Sequence, residues 1–299
     1  MRQYGRREFL KVAGLVLATS SVGILSGCGS DSAGGGGNVT PSPSSSQPAD
    51  SSSSSREPDS GSSSNNPSST PNTPDDNTPS DLEWVVRRVE AGGQIVACNS
   101  AVTGRVVIPS HWNNMTIASI GGDFNDSRYK GFQPTELVMP DTMISVGYGS
   151  LKDFSFLQKI SFSPNLKSIS SYAFEACTSL TELYLPDSLF SIEGHAFSYC
   201  SSLRKVALSK SLWEIEIETF FYCNNLKAIY IPKSLQNIRQ DAFKRADSSV
   251  LEYIYYEGSQ TEWDTLNSDF RISGGNDAFK NASHLILNAS LEEFKNLKV

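Results

Sequence analysis

Residues 177–199 read CTSLTELYLPDSLFSIEGHAFSY, and this stretch is one complete unit of the repeat that decides the fold. Leu183 and Leu185 alternate with Glu or Tyr neighbours, which is the period-two pattern of a half-buried β-strand. Ile192 marks a second short extended piece. A tight return to the next unit begins at Ala196, and we expect it to be short and helical.

Apolar residues recur every 23 positions through the second half of the chain. One such unit cannot bury its own apolar face, whereas stacked units form a continuous core. The pattern therefore predicts a β-rich, right-handed solenoid of the α/β superhelix class, with short parallel strands and short helical or irregular returns. Seven columns share the register, and they begin at Leu137, Met139, Met143, Val146, Leu151, Phe154 and Leu157.

The pattern Leu-x-x-Leu-x-Leu-Pro, Leu-x-x-Ile and Ala-Phe-x-x-Cys resembles the BspA-like leucine-rich-repeat family of bacterial and protist surface proteins. The resemblance covers roughly residues 89–290 and implies a leucine-rich-repeat solenoid. Residues 106–120 look like a degenerate opening unit, and residues 255–283 are similar to the family's closing segment. Residues 122–133 break the period by three positions, and Ser209 replaces a repeat proline.

The N-terminus has the zones of an export signal. A basic zone with Arg6 and Arg7 precedes an apolar stretch that is too short to span a bilayer. The sequence Leu-Ser-Gly-Cys that ends at Cys28 resembles the bacterial lipobox, which implies cleavage after residues 1–27 and attachment of diacylglycerol to Cys28. The alternative, a buried first helix of the fold, would have no adjacent domain on which to pack.

The export route has two possible forms. Residues 5–11, GRREFLK, resemble a twin-arginine signal, although Gly5 stands where Ser or Thr is commoner. The general secretory route is the alternative, and both routes place the protein outside the cytoplasm. The sequence leaves open whether the organism has one membrane or two.

A low-complexity stretch separates this signal from the repeats. Between residues 29 and 80 the sequence is almost entirely Ser, Gly, Pro, Asn, Asp and Thr, which cannot bury enough apolar surface to fold. We predict a lipid-anchored, disordered stalk over 28–80. An N-terminal cap over 81–136, regular repeats over 137–250 and a C-terminal cap over 251–299 would follow.

Charge argues against a nucleic-acid partner. The chain carries 25 Lys and Arg against 32 Asp and Glu, a formal charge of −7, and has no basic block to neutralise phosphates. We expect no cofactor, no bound metal and a monomer.

The cysteines and histidines favour packing and surface positions over chemistry. Cys177, Cys200 and Cys223 share one repeat column with Phe and Ala, which predicts a buried ladder of small apolar side chains. A disulfide or metal site is the alternative. His195 occupies a column with Tyr, Glu and Asp, so we expect a surface position. An enzyme would have to use the end segments, for example His284, and no catalytic motif is present.

The candidate binding face consists of residues that alternate with the buried leucines of the first strand in each unit. Its tyrosines would give a large contact area at low entropic cost. The alternative is that these residues form an ordinary solvated sheet face with no ligand. The predicted face contains Lys159, Glu182, Tyr184, Lys205 and Tyr230.

These features predict a non-enzymatic, lipid-anchored surface protein that binds a protein or glycan on a host or neighbouring cell. The alternative is a structural component of the cell envelope that packs on wall polymer or on its own copies. The sequence does not identify the ligand.

Overall fold

Short parallel strands in two lines are the main regular elements of the described chain in the computed structural model. The structure describes residues 82–122, 131–246, 251–268 and 272–299. The first strand line contains β3 (Val102–Val107), β6 (Phe132–Val138) and β8 (Lys159–Ser161), then β10 (Glu182–Tyr184), β12 (Lys205–Ala207), β14 (Ala228–Ile231), β16 (Tyr253–Tyr256) and β17 (His284–Ile286). The second strand line contains β2 (Gly92–Cys98), β5 (Met115–Ile120), β7 (Ser145–Val146), β9 (Ser168–Ile169) and β11 (Ser191–Ile192), then the pair β13 (Glu214–Ile215) and β15 (Asn237–Ile238).

Antiparallel pairs are found only at the N-terminal end among the described residues. Strand β1 (Trp84–Val89) pairs with β2, and β4 (His111–Trp112) pairs with β5. The β1–β2 hairpin occupies the start of the second strand line and gives it an end strand.

Strand pairing follows the sequence repeat. Val206 of β12 pairs with Ile229 of β14, and Ile192 of β11 pairs with Ile169 of β9, so partners are one repeat apart. Because side chains alternate in direction along a strand, this register places each apolar column on the inner side of the coils. The predicted parallel stacking is confirmed.

A stack of phenylalanine rings fills the interior beside the returns. Phe174, Phe197 and Phe220 are at most 1% exposed. Successive ring centroids lie 5.1 Å and 5.6 Å apart with the rings nearly parallel, and Phe243 continues the stack at 5.3 Å. The expectation that these rings share one interior is confirmed.

The cysteine column is a ladder of buried thiols. Cys177, Cys200 and Cys223 are all free and buried. Each sulfur donates a hydrogen bond to a carbonyl oxygen of the preceding coil, as Cys200 does to Phe174 at 3.3 Å. Burial raises the pKa of the Cys177 thiol well above its ordinary value, so it stays protonated. The prediction of small buried side chains in this column is confirmed.

The returns are turns, and the expectation of a short helix that begins at Ala196 is wrong. In the return after Ile192, the amides of His195, Phe197 and Tyr199 donate to carbonyl oxygens of the next coil at 2.7–3.2 Å. These bonds make a third ladder between coils in place of bonds along a helix. Four of these returns have two positions with positive φ, the first at Gly149, Tyr172, His195 and Glu218, and the second at Asp153, Ala176, Tyr199 and Tyr222. The return at Asp241 has only the first.

Three short helices close the C-terminal end: α1 (Gln260–Leu266), α2 (Asp277–Lys280) and α3 (Leu291–Asn296). Ser259 and Ser290 cap α1 and α3. Each serine hydroxyl accepts a hydrogen bond from the backbone amide three residues later, and the side chain of that residue, Glu262 or Glu293, accepts one from the serine amide. In the part of the chain that the structure describes, no helix combines the length and the apolar character needed to cross a membrane.

Candidate binding surfaces

The outward side of the first strand line divides into an open part and a covered part. Lys159 and Glu182 are exposed and Tyr184 is half-buried, so these three predicted residues lie at the surface. The Tyr184 hydroxyl donates to the Glu182 carboxylate at 2.9 Å, and the Lys159 ammonium lies 3.0 Å from the Glu136 carboxylate. Burial is the largest cause that raises the pKa of Tyr184, and the bond to Glu182 adds to it.

The C-terminal segment covers the rest of this face, so two predicted surface residues are buried. Lys205 and Tyr230 are each 1% exposed. Helix α3 lies over them. The ring centroid of Phe294 lies 6.0 Å from the ring centroid of Tyr230 and 5.5 Å from that of Tyr255. The expectation that Lys205 and Tyr230 face solvent is therefore corrected: their own chain returns and occupies the face.

Lys205 holds the end of the covering segment. Its ammonium donates to the carbonyl oxygens of Lys295 and Leu297 at 2.9 Å and 2.8 Å and lies 4.8 Å from the centre of the Phe294 ring. Cations are favourable at a helix C-terminus, where carbonyl groups lack partners and carry partial negative charge. Burial lowers the pKa of Lys205, and the charge of Glu182 opposes that shift.

The sequence of the covering segment contains the pattern of a capped helix. Ser290 and Glu293 have the spacing of a capping box, and Leu291, Phe294 and Leu297 have the spacing of one helix face. These features predict a short amphipathic helix. They do not reveal that the helix packs on the binding face.

The outward side of the second strand line carries a groove that the sequence reasoning missed. The groove has a volume of about 350 Å³ and is lined by Phe190, Glu193, Gly194, Trp213, Glu214 and Glu216, among others. We call it the Trp213 groove. Trp213 is 44% exposed, which is unusual for so large an apolar side chain.

The histidines His195 and His284 each stack on a tyrosine ring. His195 stacks on Tyr172 with ring centroids 4.6 Å apart, and its Nδ1 lies 3.3 Å from the Glu218 carboxylate. His284 stacks on Tyr253 and lies near the Glu252 carbonyl oxygen. Within the described ranges, no three His, Cys, Asp or Glu side chains are grouped so that they could hold a metal ion.

The residues predicted to direct export and anchoring, Arg6, Arg7 and Cys28, lie outside the described residues, as does the whole predicted stalk.

The repeat region is similar to a known family of repeats. Residues 123–250, less than half of the chain, match the BspA type leucine rich repeat region in six copies. A search of curated proteins gave no significant match.

Several solved structures are similar. A leucine rich cell surface protein of Faecalibacterium prausnitzii A2-165 is 21% identical, with a TM-score of 0.52 over 73% of this chain and 56% of that one. A leucine rich repeat protein of T. pallidum is 23% identical, with a TM-score of 0.49 over 60% of this chain and 85% of that one. The pneumococcal vaccine antigen PcpA is 23% identical, with a TM-score of 0.44 over 60% of this chain and 49% of that one. The repeat match and the parallel strand lines together show that the fold is a leucine-rich-repeat solenoid, within which residues 123–250 match BspA type repeats.

Proposed function

We propose that the chain is a lipid-anchored cell-surface protein whose repeat array binds a protein ligand and performs no catalysis. The observation that carries this proposal is the large outward surface that the described chain leaves uncovered. This surface comprises Lys159, Glu182 and Tyr184 on the first strand line and the Trp213 groove on the second. Exposed aromatic side chains with polar residues around them are typical of protein-binding surfaces, whose cores are rich in aromatic residues and whose rims are polar.

The anchor in this proposal is lipid on Cys28. Each buried methylene contributes about 0.8 kcal/mol, so two or more acyl chains would hold the protein at a membrane. Cells that express the full chain should incorporate a labelled fatty acid into it, and it should partition into detergent. The variant Cys28→Ser should do neither. Incorporation that persists in Cys28→Ser would contradict the proposed anchor.

The export route can be tested in the same cells. Replacement of both Arg6 and Arg7 by Lys should block export if the twin-arginine route is used, because that route reads the arginine pair. Export that continues at the normal level would assign the general secretory route. Either result is compatible with a surface location.

Binding can be tested by attachment of whole cells. Cells with the full chain should adhere to immobilised proteins from host or neighbouring-cell surfaces, and cells whose chain lacks residues 82–299 should not. Cys28→Ser cells, which release the protein, are the control for anchoring. Equal attachment by all three strains across a broad panel would refute a binding function. Envelope damage on deletion, with attachment unchanged, would favour a structural role in the envelope.

A further inference from the structure

The Trp213 groove lies across two adjacent coils, where Gly194 on one coil has no side chain and Trp213 on the next has a large one. Gly194 forms part of its floor, and a Cβ atom there would lie 2.9 Å from the Ile217 carbonyl oxygen, so no side chain fits without movement. Phe190 and Trp213 occupy the same repeat column on successive coils and make an aromatic wall. The result is a channel with one aromatic wall that is open to solvent.

Carboxylates line the same channel. Glu193 accepts bonds from the Ser171 amide and hydroxyl at 2.8 Å and 3.0 Å, and Glu214 is paired with Arg239. Glu216 is half-buried and makes no ion pair with any residue that the structure describes. The centre of the groove therefore has an excess of negative charge next to an exposed indole.

Basic residues border this acidic centre along the solenoid. Lys167 lies one coil before Phe190 in its column, and Arg239 lies one coil after Glu216. A long polybasic tract along the solenoid would meet these cations. A segment with one cationic side chain would meet only the carboxylates.

We propose that the Trp213 groove binds a polypeptide segment in which a single Arg or Lys lies beside a large apolar side chain. This inference rests on the proposed binding function and names the surface and the partner chemistry. A cation over an indole face is attracted by the ring, and Trp is the best aromatic residue for this contact. Glu216 and Glu193 provide the opposite charge, and Phe190 provides apolar contact.

The test compares three biotinylated peptides captured at equal density on a sensor surface: GLRLG, GLQLG and GLELG. The full chain in detergent is the analyte. We expect the arginine peptide to bind, the glutamine peptide to bind about tenfold more weakly, and the glutamate peptide not to bind. Binding of the arginine peptide should weaken as salt is raised, because the groove is open to solvent.

Two variants test the site itself. Trp213→Ala should weaken binding of GLRLG about tenfold, because it removes the cation–aromatic contact and apolar area. Glu216→Gln should weaken it about threefold, as expected for a partly exposed charge. The matched control is Ile144→Ala, which alters an exposed residue of the same column three coils earlier and should leave binding unchanged.

Three results would overturn the inference. They are equal binding of the arginine and glutamate peptides, unchanged binding by Trp213→Ala, and Trp213-dependent binding of a neutral oligosaccharide without binding of GLRLG. Normal attachment of cells that carry Trp213→Ala would contradict the role of this groove. It would not contradict the proposed binding function. If attachment is lost when residues 82–299 are removed but kept in Trp213→Ala, the described chain binds through a surface other than the Trp213 groove.

Discussion

At the scale of single residues, the repeat imposes conformations that the residue types do not prefer. Tyr172, His195 and Tyr199 all have φ near +60°, a region that costs an L-residue roughly 1 kcal/mol. The inter-coil bonds of the return, such as the 2.7 Å bond from the Tyr199 amide to the Phe221 carbonyl oxygen, compensate for this cost. Glycine at Gly149 is the one member of the first column that suits the conformation by itself.

The phenylalanine stack should dominate stability at this scale. Phe197→Ala removes a ring that is 0% exposed and lies between two parallel rings, so the free energy of unfolding should fall by about 3–5 kcal/mol. Phe156→Ala removes a ring that is 52% exposed and should change it by less than about 0.5 kcal/mol. Urea unfolding of the full chain measures both. Similar losses in the two variants would contradict a shared interior.

The cap of α3 predicts a pH dependence. Bonds from the Ser290 amide and then from its hydroxyl hold the pKa of Glu293 below its ordinary value. A carboxyl group whose pKa is lowered by folding stabilises the fold at pH values above its unfolded-state pKa. That stabilisation is lost as the pH falls through the folded-state pKa. Acidification should therefore loosen α3.

Ser290→Ala tests this assignment, because it removes the hydroxyl and keeps the amide. NMR titration should show that the pKa of Glu293 rises only part of the way to its ordinary value. Ser259→Ala changes the matching cap of α1 and should leave Glu293 unaffected. A full return of the Glu293 pKa in Ser290→Ala would show that the hydroxyl, and not the amide, is the main cause.

At the scale of elements, α3 converts part of a strand face into an interior. Ala228 and Tyr230 lie on the outward side of β14, yet both are buried together with Phe294 in a second, smaller apolar cluster. Burial raises the pKa of the Tyr230 hydroxyl to about 12. Strand β14 is therefore apolar on both faces, as is usual for a strand with a helix on its outer side.

Lys205→Met should loosen the C-terminal segment, because the carbonyls of Lys295 and Leu297 lose a charged donor. Hydrogen bonds to charged groups are worth about 1.5–3 kcal/mol, so amide exchange over 291–299 should accelerate by at least tenfold. Hydrogen–deuterium exchange with mass spectrometry measures this change.

The matched control for that prediction is Lys159→Met, which replaces an exposed lysine of the same repeat column two coils earlier. It should leave exchange over 291–299 at the wild-type rate. Equal acceleration in both variants would mean that Lys205 does not hold the segment.

At the scale of the whole molecule, the solenoid is a linear stack in which each coil contacts its neighbours. Stability in such a stack is roughly a sum of coil and interface terms. Between Leu137 and Phe243 the apolar columns keep one unbroken 23-residue period, so a deletion there that is not a whole repeat should move the later columns off the interior.

Deletion of residues 178–200 removes one whole repeat. It joins Cys177 directly to Ser201, the residue that follows Cys200 in the same repeat column. The shortened chain should fold cooperatively, with a lower free energy of unfolding than the full chain. Deletion of residues 178–189 removes about half a coil and should abolish cooperative folding. Circular dichroism during urea unfolding distinguishes them, and equal behaviour of the two deletions would refute the register.

Much of the fold could be predicted from the sequence, and the candidate site only in part. The interior positions of Phe174, Phe197 and Cys200 were predictable because each repeats the same local pattern. The form of the returns was not, because Tyr172 and His195 are unexceptional residues whose conformation is set by bonds to the adjacent coil. The Trp213 groove was missed because its shape depends on Gly194 and Trp213, which lie on adjacent coils.

The apolar spacing of the sequence specifies the register, the two strand lines and the core, because the same spacing recurs in every regular repeat. Which outward face stays open depends instead on contacts between distant parts of the chain. The bond from Lys205 to Lys295 joins residues 90 positions apart, and no local pattern specifies such a contact. Apolar residues of the last segment gain burial by covering β12 and β14, whereas no described segment covers the Trp213 groove on the second strand line.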